Sequence, residues 1–294
     1  MKKKEIFRGV ATALITPFKN DRIDTKALEG LINMQIDAGI GALVIGGTTG
    51  EAATLSDEER YELYKISKEM IDGRCRLIFG TGTNDTKMAI RHTVRAGEIG
   101  CDAALLVTPY YNRGTREGLA RHYEAIAKES DIPLILYNVP TRTGVNLDLG
   151  LLERLSDTKS IVAIKEASDS VDRLTELSSI GDKLALYSGN DSQIYSTLAV
   201  GGLGVISVVS NLFPRETIEI CKQYFANNPE LSLKAQKKLL PVIRALFLET
   251  NPAPIKYAMS RSGLCLSDMR LPMWLPTEAT RRRIDETLEL FTKG

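Results

Sequence analysis

Histidine is almost missing from this chain. Of 294 residues only His92 and His122 carry an imidazole. They lie in helix-like stretches about thirty positions apart, in no HExxH or comparable ligand spacing. Both read as surface or helix-packing residues. Zinc chemistry and a Ser-His-Asp triad are thereby disfavoured, and the GxSxG turn of such hydrolases is absent too. Cysteine is equally sparse: Cys75, Cys101, Cys221 and Cys265 are scattered, with no CxxC pair. Buried free thiols are expected, not disulfides or metal ligands. Neither sign of charge is in excess, since 38 Lys and Arg against 37 Asp and Glu leave +1. That balance gives no field for nucleic acid or an anionic membrane. No apolar run approaches the roughly 18 residues that span a bilayer. Met1-Lys2-Lys3-Lys4 is followed by Glu5 and Arg8, where a signal peptide would need an apolar segment. A soluble, cytoplasmic protein is expected, with no metal, no cofactor and no nucleic-acid or membrane partner. Catalysis in such a chain must run on Lys, Tyr, Thr, Arg, carboxylates or backbone.

What is present is a 43% apolar and 26% charged composition, ordinary for a chain that buries a core, so disorder and low-complexity readings drop out. Eight short apolar runs recur about every 20 to 35 residues: 10–16, 42–45, 77–80, 103–107, 134–138, 161–165, 185–188 and 204–208. That spacing is one strand–loop–helix unit. Runs without polar alternation indicate parallel strands covered on both faces. Between them lie amphipathic stretches such as 57–71 and 115–129, the former preceded by Ser56 as an N-cap. Eight such units with right-handed crossovers close most simply into an α/β fold of the (β/α)₈ TIM barrel type. An open doubly wound sheet is the alternative. After about Phe225 the pattern changes, with Asn227-Asn228-Pro229 as a breaker and helices expected over 232–250, 253–262 and 277–292. The expected organisation is a catalytic barrel over 1–225 and a small C-terminal helical domain over 226–294. Arg270-Leu271-Pro272-Met273 is too proline-rich to continue a helix and either crosses the surface or supports the site.

Reacting groups in such a barrel gather at the C-terminal strand ends. Strand six ends Ile161-Val162-Ala163-Ile164-Lys165-Glu166. A lysine after four apolar residues puts its amine inside or at the mouth of the barrel, where desolvation favours the neutral, nucleophilic form that makes a Schiff base. The plainer alternatives are a snorkelling lysine or a pair with Glu166. Strand five ends in Tyr137 and Asn138, followed by Val139-Pro140-Thr141-Arg142-Thr143-Gly144. Tyr137 is equally well a core tyrosine; Arg142 sits where a guanidinium can hold a carboxylate bidentately. Strand two runs into Gly46-Gly47-Thr48-Thr49-Gly50-Glu51, a turn whose amides and hydroxyls suit an anionic group. It is no GxxxxGK[ST] phosphate loop. Strand four ends Thr108-Pro109-Tyr110-Tyr111-Asn112, and paired rim tyrosines more often pack an interface than do chemistry. An imine-forming lysine, a phenol, a hydroxyl relay, an anion-binding turn and an arginine on one rim read as a class I lyase or aldolase for an α-keto acid.

The stretches 47–51 (GTTGE), 109–112 (PYYN), 137–144 (YNVPTRTG), 164–168 (IKEAS) and 251–256 (NPAPIK) resemble the dihydrodipicolinate synthase family, within the pyruvate-dependent Schiff-base aldolase superfamily. The resemblance runs through nearly the whole chain. It implies a lyase in which Lys165 condenses with pyruvate, whose carboxylate rests on Thr48, Thr49 and neighbouring amides. Tyr137 would shuttle protons through Thr48 and through Tyr111 of an adjacent subunit, and Arg142 would hold the carboxylate of L-aspartate 4-semialdehyde. Gly189 and Ile206 match positions whose carbonyls shape the pocket. The reaction so implied opens lysine biosynthesis by the diaminopimelate route, in a homotetramer built as a dimer of dimers. Lysine-inhibited members carry histidines and a glutamate at an interface effector site. Here Asn84 and Tyr110 match, but Asp57 and Arg60 replace the histidines and Met88 the glutamate, which implies weak or absent feedback. Relatives such as N-acetylneuraminate lyase or 2-keto-3-deoxy sugar-acid aldolases are the nearest alternative, and Arg142 is the residue that separates them. A silent ligand-binding paralogue is disfavoured by the intact Lys165, Tyr137, Thr48 and Arg142.

Overall fold

In a computed structural model that describes residues 5–293, the eight apolar runs form β1 (Gly9–Ala13), β2 (Ala42–Ile45), β3 (Arg76–Gly80), β4 (Ala103–Val107), β5 (Leu134–Asn138), β6 (Ile161–Glu166), β7 (Ala185–Ser188) and β8 (Gly204–Ser207). The basic run at residues 1–4 and the last residue of the expected helical domain lie outside the described residues. Neighbouring strands pair in parallel, and β8 returns to β1 through Gly9↔Gly204 to Thr12↔Ser207, closing the barrel. The open doubly wound alternative is thereby excluded. A two-strand antiparallel ribbon, Phe18–Lys19 with Arg22–Ile23, stands outside it.

Strand parity decides what fills the barrel, because successive side chains point to opposite faces. One set turns inward and packs together: Ala11, Ala42, Ile78, Ala103, Ile135, Ala163, Tyr187 and Ile206. The other set, including Leu43, Phe79, Leu106, Leu136 and Ile164, packs outward under the helices. Both faces are dry, which is why these strands read as unbroken apolar runs. Ile6 and Phe7 join the interior cluster, Phe7 stacking on Tyr187 with ring centres 4.2 Å apart.

The outer layer is α1 (Thr25–Asp37), α2 (Asp57–Ile71), α3 (Thr86–Ile99), α4 (Arg116–Glu129), α5 (Leu149–Ser156), α6 (Val171–Ser178), α7 (Ile194–Ala199) and α8 (Pro214–Phe225). Ser56 caps α2 as expected, in a full capping box: its Oγ accepts from Glu59 N–H at 3.2 Å while Glu59 accepts from Ser56 N–H at 3.0 Å. The helix expected from Thr115 starts one residue later, because Thr115 is itself the cap. His92 and His122 are 4% and 5% exposed. Of the two expectations for them, helix packing is the one that holds. Of the free thiols, Cys221 is buried and Cys75, Cys101 and Cys265 are half-buried.

Beyond residue 225 come α9 (Pro229–Leu246), α10 (Ala253–Arg261) and α11 (Glu278–Lys293). Helix α9 begins three residues before the expected Ser232, because Pro229 occupies the first helical position, where a missing N–H costs nothing. Asn227 makes the break with a left-handed φ of 63°. Leu239, Val242, Leu246, Ile255, Met259 and Ile284 share one apolar cluster with Val10, Leu14 and Val205. The three C-terminal helices therefore brace the barrel beside β1 and β8. No helix among the described residues is long and apolar enough to cross a membrane.

Candidate active site

Lys165 is the fifth residue of β6, and its parity points it inward. It is in register with Tyr137 on β5 and Tyr187 on β7. Its Nζ lies 4.2 Å from the centre of the Tyr137 ring, and the residue is 5% exposed. Burial drops the amine from the usual 10.5 to about 7; Asp191 pulls the other way and Arg142 adds to the drop. The pairing of Lys165 with Glu166 considered from the sequence does not occur. Glu166 has the opposite parity and is held outside the barrel by Asn138 Nδ2 at 2.9 Å and Ser168 N–H at 2.8 Å.

Room for the lysine stem comes from Gly189. A Cβ there would stand 2.6 Å from Ala167 Cβ and 3.1 Å from Lys165 Cε. Tyr137 is buried, which raises its phenol pKa, while Arg142 and a hydrogen bond with the Thr48 side chain oppose the rise. Ile206 is fully buried in the interior cluster.

The glycine-rich turn after β2 is closed by Glu51 N–H to Thr48 O at 3.1 Å and Ala52 N–H to Gly47 O at 3.3 Å. Gly46 has a φ of 65°, and a Cβ there would lie 2.9 Å from the Tyr64 ring, so only glycine fits. Arg142 sits on a single helical turn, Pro140–Thr143, at the rim, and its Nη2 donates to Asn251 O at 2.9 Å. Tyr111 is 90% exposed, with φ 71° and Asn112 N–H bonding back to Tyr110 O at 2.9 Å. That is the rarer, positive-φ kind of γ-turn, a strained arrangement for a bulky side chain. Within this single chain the Tyr111 side chain is open to solvent, whereas Lys165 is buried.

A cavity of about 420 Å³ opens over the rim, with Thr48, Tyr137, Arg142 and Asn251 in its wall. This is within the usual range for a small-molecule site. It continues towards the first turns of α2 and α3, where Asp57, Arg60, Met88 and Tyr110 also line it. There Asp57 meets His92 Nε2 at 3.0 Å and Arg91 at 3.2 Å, and the Met88 sulfur lies against Arg91. Arg60 is spent on Ala52 O at 2.6 Å. Asn84 accepts on its backbone oxygen from Asn112 at 2.9 Å. Among the described residues no cluster of His, Cys, Asp or Glu is assembled as a metal would require.

Three contributors were not singled out from the sequence as site residues. Asp191 is 1% exposed, its Oδ2 held by Val208 and Val209 N–H at 3.0 and 3.1 Å. Burial raises its pKa, and it is the carboxylate that acts on Lys165. Lys256, wholly buried, meets Glu51 at 2.5 Å and Asp268 O at 2.8 Å. Asn251 donates to Thr49 Oγ1 at 2.9 Å. A polar residue at a strand end or in a proline-rich segment was the only local signal; Glu51 and Thr49 lie some 200 positions from Lys256 and Asn251, and Asp191 meets amides beyond the next strand.

The profile of the dihydrodipicolinate synthetase family matches residues 6–290. The 4-hydroxy-tetrahydrodipicolinate synthase of Clostridium novyi is 42% identical, over 98% of each chain. The solved 4-hydroxy-tetrahydrodipicolinate synthase of Methylacidiphilum fumariolicum superposes with a TM-score of 0.96 at 41% identity, covering 97% of this chain and 96% of that one. A chloride-inhibited dihydrodipicolinate synthase from Acinetobacter baumannii, solved with pyruvate, gives a TM-score of 0.95 at 39% identity over 97% and 99% of the two chains.

Proposed function

The chain belongs to the dihydrodipicolinate synthetase family, and on that premise we propose that it condenses pyruvate with L-aspartate 4-semialdehyde to give 4-hydroxy-2,3,4,5-tetrahydrodipicolinate, the committed step towards lysine. The observation that carries this reading is a buried amine at the barrel mouth whose pKa is near 7. A substantial neutral fraction at physiological pH makes Lys165 a nucleophile.

The Lys165 amine adds to the pyruvate ketone and water leaves, giving the imine. Loss of a methyl proton gives the enamine, which attacks the aldehyde carbon of the second substrate. That substrate's amino group then displaces Lys165 from the imine carbon and closes the ring, freeing the lysine. Tyr137, which shares the cavity wall with Thr48, moves the protons. The pyruvate carboxylate lies on Thr48 and Thr49 and the turn amides, and Arg142 binds the carboxylate of the semialdehyde. Gly189, just after β7, leaves room for the Lys165 stem, and Ile206 packs in the barrel interior beneath it.

The same reading gives Tyr111 a role in trans. Its 90% exposure on a strained turn supports that role. We assign the protein to the cytoplasm as a homotetramer, a dimer of dimers, with the barrel over 1–225 as its catalytic part. Asn84 and Tyr110 are the surviving elements of an effector site. Asp57 is engaged by Arg91 and His92, and Met88 carries no charge for an ammonium group. Millimolar L-lysine should leave turnover within about twofold; strong inhibition would refute this. The function itself is tested by assaying pyruvate with aspartate semialdehyde beside N-acetylneuraminate and 2-keto-3-deoxy sugar acids. Turnover should appear with the first pair only, and cleavage of a sugar acid at comparable rate would overturn the assignment.

A further inference from the structure

The segment that opens α10 is outside the β/α repeat, yet it reaches the barrel mouth with a buried amide. Asn251 is 6% exposed and stands in the cavity wall beside Thr48 and Arg142. Its backbone oxygen accepts from Arg142 Nη2 at 2.9 Å, and its Nδ2 donates to Thr49 Oγ1 at 2.9 Å. Thr49 is 3% exposed. A hydroxyl that accepts a hydrogen bond on its oxygen still has a proton to give, and the direction of that proton is set by where its lone pair is already engaged. Asn251 Oδ1 is buried without a protein partner. Its amide thus holds an orientation that leaves one polar atom unmatched inside the protein, which is costly unless the other atom serves a purpose.

We propose that Asn251 is a positioning residue: its amide compels the Thr49 hydroxyl to donate into the pyruvate carboxylate site, and its carbonyl ties the same segment to Arg142, so one residue sets both anion-binding groups. This rests on the proposed assignment of Thr49 to the pyruvate carboxylate. The segment is itself anchored, since Lys256, five residues on, is fixed to Glu51 of the same glycine-rich turn.

The decisive variant is Asn251→Asp, nearly isosteric with the wild type. A carboxylate at this place accepts the Thr49 proton instead of supplying one, so the hydroxyl presents lone pairs to the substrate anion. It also sets a second negative charge beside that anion. The pyruvate KM should rise at least tenfold while kcat at saturation changes less than threefold. Asn251→Ala keeps the backbone carbonyl for Arg142 and should raise the pyruvate KM about fivefold, with the semialdehyde KM within twofold. In a Thr49→Val background, Asn251→Ala should add less than twofold to the pyruvate KM, which a merely structural role would not predict. Wild-type and variant proteins are also treated with pyruvate and borohydride. An unchanged pyruvate KM in both Asn251 variants, with the wild type still trapped as an adduct, overturns this inference alone. Additive effects of Thr49→Val and Asn251→Ala overturn it too. No adduct in the wild type overturns the underlying reading together with it.

Discussion

Two lysines are buried beside this cavity, and their partners separate their chemistry. Lys256 sits 2.5 Å from Glu51, donates to Asp268 O and lies 4.4 Å from the Phe18 ring centre. Burial lowers the Lys256 amine pKa too, but Glu51 opposes that drop, and the pair makes this lysine structural. The carboxylate nearest Lys165 in effect is Asp191, which is already bonded to two backbone amides. Lys165 therefore carries the cost of burial with little repayment, and its pKa falls to about 7. The rate of imine formation should climb about tenfold per pH unit below about pH 7 and level off above it. Stopped-flow or quenched trapping would measure this, and a profile still climbing steeply at pH 9 would show the amine is not perturbed. The same shift has a stability consequence. The unfolded amine holds its proton up to 10.5, so the penalty for burying it is complete below about 7 and gone above 10.5. Lys165→Met should raise the unfolding free energy by a few kcal/mol near neutral pH, with a gain that shrinks as pH approaches 10. In the proposed function Arg142 serves the other substrate. Arg142→Ala should cost about ten- to a hundredfold in kcat/KM for the semialdehyde, with pyruvate adduct formation within about threefold. Equal losses in the two steps would reassign it.

At the scale of elements, the barrel strands were legible because parallel strands covered on both faces must be apolar throughout. That is why 42–45, 103–107, 134–138 and 185–188 coincide with strands in the structure. Lys165 was legible for a related reason: a charged residue at the end of such a run, on the inward-facing parity, has only the barrel mouth to occupy. Glu166 shows the same logic from the other face. Asn251, Lys256 and Asp191 were not legible as site residues, since each matters through a contact absent from its own neighbourhood. Lys256 and Glu51 are 205 positions apart, and Asn251 and Thr49 are 202 apart. No periodicity or turn signal encodes such a pairing. The ion pair also gives the C-terminal helices an energetic role. Lys256→Met leaves Glu51 buried without its cation and should lower stability by about 3–5 kcal/mol in urea unfolding. A change below about 1 kcal/mol would mean the turn is held by other contacts.

For the whole molecule, the exposed and strained Tyr111 carries the proposed assembly. If its hydroxyl serves the neighbouring site, two defective chains repair each other. Co-expressed Lys165→Met and Tyr111→Phe chains form mixed dimers in which one site has both groups intact. Random mixing should restore about a quarter of wild-type activity, well above either homogeneous variant. Activity no greater than the average of the two variants would place Tyr111 outside the neighbour's chemistry. Beneath the expectations about activity lies the proposed covalent bond between pyruvate and one side chain. The most direct measurement is borohydride reduction of the protein in the presence of pyruvate, followed by peptide mass analysis. A single adduct on the peptide bearing Lys165 is expected. Modification at Lys256 or another lysine, or none at all, would contradict it.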